Sequence, residues 1–390
     1  MTAIFDGLDD IPWGQIRDAY GPAESVPVRL RELLSSDVED RAFAIDQLNM
    51  GICHQGSVAE ATAYAVPFLV ELARSSTVEG KADILMLLGN IAGGAHAFLT
   101  NRERQREEIV QGCIRYRSMT QEEAKAAFLA VQDWNARALD AVDQGCDAYL
   151  ALARDDGAEV RLAAAYALVA LARAGLRASE ITRYLVARLD VEADDRVRAV
   201  ILRGLFLCGT FTPVVSAHMI AALDDTAMPA ARYHAALGLV YRLGNDAPPA
   251  AIDLLFDRLS GTPSHQAWDF LWADAYTSQT WDIGQDIDPL EALSRLDPVV
   301  VGSRLPRILR MIDKGFDTWV VPILRMIFGS DHVAPSQLAA LSPDQRAVLE
   351  RIAGNTTLWT GANSGAPKFR AARFGLPDTR EALQAFLARS

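Results

Sequence analysis

Val160-Arg-Leu-Ala-Ala-Ala-Tyr-Ala-Leu-Val-Ala-Leu171 and, 37 residues on, Val197-Arg-Ala-Val-Ile-Leu-Arg-Gly-Leu-Phe-Leu-Cys208 read as two versions of one helix. Small or apolar residues stand at Val160, Ala164, Ala167, Leu168 and Leu171 in the first. Val197, Ile201, Gly204, Leu205 and Cys208 match them in the second. Residues so spaced share one stripe of an α-helix. An Arg follows the first stripe position in both, Arg161 and Arg198. Arg232 leads Ala235, Gly238 and Leu239 at the same offsets, and Arg41 leads Ala44 and Leu48. Ala167, Gly204 and Gly238 fall at one equivalent position, where a small side chain lets neighbouring helices approach closely.

The same periodicity shows nearer the start. Val26-Pro-Val-Arg-Leu-Arg-Glu-Leu-Leu-Ser-Ser36 recurs 40 residues on as Val66-Pro-Phe-Leu-Val-Glu-Leu-Ala-Arg-Ser-Ser76. Proline-led helices are expected again at Leu305-Pro306 and Val321-Pro322. Ser57 with Glu60, Thr120 with Glu123, and Ser342 with Gln345 read as capping boxes, and Asp378 as the start of a last helix. No alternating strand pattern of convincing length occurs, so the expected class is all-α. Two long irregular stretches are expected, at about 93–106 and 277–290. The pairs Asp155-Asp156, Asp194-Asp195 and Asp224-Asp225 precede three of the helices. They read as N-terminal caps, because successive repeats would hold them about 8–10 Å apart, too far to share one metal ion.

This arrangement resembles the HEAT-repeat family, including its bacterial HEAT-like, PBS-lyase-type branch. The residues that carry the likeness are Asp37/Arg41, Asp156/Arg161, Asp194/Arg198 and, more loosely, Asp225/Arg232. The resemblance implies an α-solenoid of stacked helical hairpins, with an Asp–Arg ladder between repeats. It covers 26–90 and 145–260 well, 94–144 weakly, and the chain beyond 300 in part. Ile11-Pro-Trp13, Ala19-Tyr-Gly21 and Ile52-Cys-His-Gln-Gly56 look like a subgroup of bacterial members of unassigned activity. The expected organisation is repeats over 1–260 with a divergent insert at about 93–144, an aromatic-acidic segment at 261–300, and a net basic helical cap at 301–390.

The chain of 390 residues carries a formal charge of −12. That argues against a dedicated nucleic-acid binder, since affinity for phosphates comes from clustered Lys and Arg. The charge is uneven, with +5 over residues 301–390 and −17 before them. Lys368-Phe-Arg-Ala-Ala-Arg373 is the densest basic cluster; it reads either as a weak nucleic-acid contact or as solvated charge. Four separated cysteines, Cys53, Cys113, Cys146 and Cys208, form no CxxC pair and read as small buried hydrophobes, though spacing leaves pairing open. Gly204 to Leu223 has no charged residue but is broken at Thr212-Pro213, so two helices are expected to meet there. With no basic-then-apolar leader at Met1, the expectation is a cytoplasmic protein without a membrane span.

Two places invite a functional reading. His54 and Gln55 precede Gly56 between two helices, and are either a loop site on a binding face or a turn in which His54 caps a carbonyl. The segment 265–298 holds Trp268, Trp272, Tyr276 and Trp281 among Asp269, Asp274 and Asp282, with Arg295 its lone base. Trp268, Trp272 and Tyr276 share one helical face, either a core stripe or an aromatic anchor ringed by acids for a basic protein partner. No HExxH, GxSxG, P-loop or Rossmann glycine pattern occurs, and no His-Glu step of the HEAT hydroxylases. The expected function is therefore a non-enzymatic, cofactor-free and metal-free protein-binding scaffold or adaptor. Its specific form would be an accessory or toxin-neutralising protein. The alternative is a HEAT-like enzyme acting on a nucleobase or tetrapyrrole-like ligand through 265–298.

Overall fold

A computed structural model describes residues 4–54, 56–100, 119–208, 211–261, 289–315, 319–330, 333, 338, 340–360 and 374–389. These are mostly helical, as an all-α chain should be, with nineteen α-helices and almost no strand. The chain divides into two compact units, at Val215/Ser216.

In the first unit, α1 (Val26–Glu32) pairs with α2 (Val38–Ile52), and α3 (Thr62–Arg74) with α4 (Lys81–Thr100). The long α5 (Gln121–Asp143) lies on α3 and α4. Then α6 (Cys146–Leu152) pairs with α7 (Ala158–Arg173), and α8 (Ala178–Leu189) with α9 (Asp195–Leu207). The second helix of each pair touches the next such helix, giving a row α2–α4–α7–α9. Small residues permit this approach. A side chain on Gly89 of α4 would meet the Tyr166 ring of α7, and one on Gly204 of α9 would meet Val169. The stripe behind the fold expectation is buried: Ala164, Ala167, Leu168 and Leu171 on α7, and Val197, Ile201 and Leu205 on α9. Tyr166 also donates its hydroxyl to Asn90 Oδ1 at 2.7 Å inside this contact.

The arginines that mark the repeat have a shared role. Arg41 Nη1 donates to the Ser35 carbonyl at 2.7 Å. Arg161 Nη1 reaches the carbonyls of Asp155 and Asp156 at 3.0 and 2.8 Å. Arg198 Nη1 reaches those of Leu189 and Glu192 at 2.7 and 3.1 Å. Each guanidinium thus binds carbonyls of the turn that leads into its own helix, and Arg198 also binds that of Leu189, the last residue of the preceding helix. Three ion pairs between successive helix pairs use Glu: Arg41 meets Glu79 at 2.9 Å, Arg161 meets Glu192 at 2.9 Å, and Arg196 meets Glu159 at 2.7 Å. The aspartates act locally. Asp37 and Asp194 cap their own helices, whereas Asp155 closes a turn onto the Gly157 amide.

Glu192 is the most buried of these acids. Its side chain is fully covered, held by two hydrogen bonds from Arg161 at 2.9 Å and by Arg188 at 2.8 Å. The amides of Ala193 and Asp194 add 3.0 and 2.9 Å bonds. Burial alone would raise its pKa, but Arg161, the Asp194 amide and Arg188 outweigh it and hold the carboxyl at about 2.

The second unit contains α11 (Pro229–Leu243) packed on α12 (Pro249–Ser260). It continues with α13 (Pro289–Ser294), α14 (Pro298–Gly302), α15 (Leu305–Asp313), α16 (Val320–Phe328), α17 (Pro343–Gly354), α18 (Thr357–Thr360) and α19 (Arg380–Leu387). In sequence, α10 (Pro213–Asp224) contains the dividing point, and it begins at Pro213 after α9 has ended at Leu207, so the apolar stretch is divided between two helices as expected. Arg232 again serves a preceding helix, donating to the Leu223 carbonyl at 2.8 Å. Here too the acid is a turn former, Asp225 accepting from the Ala227 amide at 3.0 Å. Among the described residues one helix, α4, is long and apolar enough to cross a membrane, and 67% of its apolar window is buried inside the protein.

Four expectations about local structure change. Ser57 lies in a short strand, not at a helix cap, and α3 starts at Thr62, leaving Pro67 inside the helix. Thr62 itself organises that start, donating to the Ile52 carbonyl and accepting from the Ala59 amide. Thr379 rather than Asp378 caps the last helix, accepting from the Ala382 amide. Residues 93–100, expected to be irregular, continue α4, where Gly94 packs against the Gly56 backbone; residues 289–290 open α13. The boxes at Thr120/Glu123 and Ser342/Gln345 are present as expected.

Replacing Glu192 by Ala should destabilise the first unit by about 3–5 kcal/mol in urea unfolding, since two arginines lose their buried partner. The depressed pKa also sets a pH dependence. Its stabilisation is complete above the ordinary value of 4.5 and fades as pH falls toward about 2. The variant should lack that component of acid sensitivity.

Candidate functional site

The His54 region is assembled by an N-terminal turn. Asp18 Oδ1 accepts from the amides of Tyr20 and Gly21 at 2.8 and 2.9 Å, as short acidic side chains do in turns. The Ala19 amide donates to the Gly51 carbonyl at 2.8 Å, tying the turn to the end of α2. Arg17 adds a bridge to Pro22, a 3.1 Å bond from its amide to Glu60 Oε2, and a carbonyl that accepts from Ala61 at 2.9 Å.

Beside that turn lies a minimal β-hairpin, β1 (Cys53–His54) against β2 (Ser57–Val58), paired Cys53 to Val58 and His54 to Ser57. Gly56 turns it with φ of 76°, where glycine carries no side-chain penalty. The hairpin backbone rests on α4 so closely that a side chain on Gly94 would collide with the Gly56 carbonyl. His54 is half-buried, with Nδ1 3.2 Å from the Tyr20 hydroxyl and the two rings edge to face at 5.4 Å. Its partner is thus a phenol, not the carbonyl that the turn reading supposes. Tyr20 itself is 64% exposed. The arrangement presents a hydroxyl, an imidazole and an aromatic face outward, groups able to contact a protein surface. Gln55 lies outside the described residues.

Trp268, Asp269, Trp272, Asp274, Tyr276, Trp281 and Asp282 also lie outside the described residues, as do Cys113 and the basic cluster at 368–373. The described end of the acidic segment is structural. Glu291 pairs with Arg325 at 3.0 Å, and Asp297 caps α14 while its own amide donates to Asn245 Oδ1 at 2.8 Å. Arg295 stacks over the Tyr241 ring at 4.9 Å.

Other polar chemistry is modest. Among the described residues Cys53 and Cys146 are buried and Cys208 is half-buried, and no two of them form a disulfide. Burial pushes the Cys146 thiol up to about 11, which makes it a poor nucleophile. Among the described residues no three His, Cys, Asp or Glu side chains come together as a metal site would require. A groove of about 530 Å³ runs between α6 and α8 over Leu150, Ala151 and Ala187, with Arg154 stacked on Tyr184 at 5.2 Å. Its acids, Asp147 and Glu180, are each held by Arg177 at 2.8 Å. In the second unit a groove of about 550 Å³ lies between α15 and α17, crossed by the Arg351–Asp313 pair at 3.2 Å. Neither groove contains a residue singled out from the sequence. No spacing rule could have found Tyr184 or the Tyr20–His54 contact, because each joins segments that only packing brings together.

No protein-family model matches the chain, and no curated protein does. Twelve solved chains match it. One is the crystal structure of an engineered protein, 17% identical and aligned over all of this chain and 90% of that one, with a TM-score of 0.22. A likeness that low supports no conclusion about fold or activity.

Replacing Gly94 by Ala should cost about 1–3 kcal/mol, because the obstacle is the hairpin backbone and cannot rotate away. A melting temperature equal to that of the unsubstituted protein would contradict this packing.

Proposed function

We propose that the chain is a non-enzymatic α-solenoid of HEAT type that acts as a cytoplasmic scaffold or adaptor for a basic protein partner. The observation that carries the reading is the recurring arginine. Arg41 and Arg161 bind carbonyls of the turn that leads into their own helix, and Arg198 and Arg232 bind a carbonyl at the end of the preceding helix, so one arginine-braced junction recurs. The row α2–α4–α7–α9 supports the same reading, since stacked helix pairs create extended surfaces rather than enclosed reaction chambers. The net charge of −12 favours a positively charged partner and would steer it during encounter.

In its specific form the protein is an accessory or toxin-neutralising factor that masks a basic surface. The aromatic-acidic residues Trp268, Trp272, Tyr276 and Trp281, with Asp269, Asp274 and Asp282, are the proposed anchor, since Trp and Tyr dominate the energetics of interfaces. Affinity capture from the source organism should recover one basic protein at about equal stoichiometry. Alanine at Trp268 and Trp272 should weaken capture about tenfold or more. Recovery of no stoichiometric partner would overturn the reading.

A further inference from the structure

α2 carries a second, outward stripe. Its inward residues, Ala44, Leu48 and Ile52, are buried against α1, α4 and the hairpin. On the opposite side Glu39, Phe43, Asp46 and Met50 follow helical spacing and stand in solvent. Phe43 is 52% exposed and Met50 39%, with Val38 at the helix start 66% exposed. Val28 of α1 is also exposed, at 48%. Neighbouring Arg29 lies over the Phe43 ring at 4.9 Å, placing the edge of α1 beside the stripe.

Two physical arguments identify what covers this face. The end helix of a stacked row normally presents a polar outer surface for solubility. Here Phe and Met stand where that rule calls for polar residues, so the surface is built for contact. The charges then select the partner. Glu39 and Asp46 alternate with Phe43 and Met50, and neither carboxylate has an ion-pair partner among the described residues. A second copy docking through the same face in a two-fold dimer would bring these carboxylates against their own images, at an electrostatic cost. A helix with apolar residues on one side and Lys or Arg flanking them satisfies both features.

We propose that the outer face of α2, centred on Phe43 and Met50 and flanked by Glu39 and Asp46, docks a basic amphipathic helix of a protein partner. This rests on the reading of the chain as a protein-binding repeat array, and assigns it a contact surface made of residues other than those of 265–298. The helix lies along α2 with its apolar residues on Phe43 and Met50, and its cations reach Glu39 and Asp46.

The test uses the full chain and a fluorescent leucine–lysine amphipathic peptide of about fourteen residues, roughly four helical turns. A leucine–glutamate peptide of the same pattern is the comparison. Anisotropy should show binding of the lysine peptide alone. F43D/M50D, at two exposed positions, should keep native circular dichroism and weaken binding about tenfold or more. E39K/D46K should exchange the preference, losing the lysine peptide and taking the glutamate one. E122K/E381K, with an equal change of charge elsewhere, should bind as the unsubstituted chain does. Equal binding to all three variants would overturn the proposal, as would a chain that binds neither peptide. A concentration-dependent dimer that F43D/M50D dissolves would assign the face to a second copy instead. Any of these results, alongside a captured partner that depends on Trp268 and Trp272, removes this surface and leaves the scaffold reading standing.

Discussion

The covered carboxylate of Glu192 is the constraint on which the first unit turns. A buried charge is tolerated only when its hydrogen-bonding capacity is filled, and here two guanidinium groups and two backbone amides fill it. Each donor comes from a different piece of the repeat. Arg161 belongs to α7, Arg188 to α8, and the amides to the turn entering α9. Satisfying one acid therefore fixes three helices relative to one another. Arg198 completes the turn by binding the Glu192 carbonyl, so the side chain and backbone of one residue are both fixed by arginines.

Around that node the helices are drawn together by absent atoms as much as by present ones. Gly89 and Gly204 let Tyr166 and Val169 of α7 press against neighbouring helix backbones. Gly94 does the same for the hairpin that carries His54. Close contact then converts modest apolar side chains into a continuous core, because dispersion and burial both grow with the number of atoms in contact. The grooves between α6 and α8 and between α15 and α17 are open to solvent.

Much of the local structure was legible in the residues. The stripe through Ala164, Ala167 and Leu168 and the caps at Thr120 and Ser342 rest on contacts three or four residues apart, which sequence spacing encodes directly. Ser57 and Glu60 carry the same cap spacing, yet the Cys53–Val58 pairing places Ser57 in a strand, a competition no local rule can judge. Residues 93–100 differ from the expected irregular stretch for a related reason, at Gly94. Glycine weakens an isolated helix, but within α4 it meets a neighbouring backbone, and tertiary contact outweighs propensity. The acids were misassigned in part because capping, turn closure and ion pairing all use the same residue types.

What the sequence determined alone is the all-α class, the repeated helix with its marked arginine, and the uneven charge. All three are properties of spacing and composition. The tertiary structure decided which acid each arginine serves, that Tyr20 and not a carbonyl meets His54, and which side of α2 remains uncovered. Those outcomes depend on residues tens of positions apart arriving at one place. Burial then gives a glutamate at position 192 an energetic role that an exposed glutamate of identical chemistry would lack.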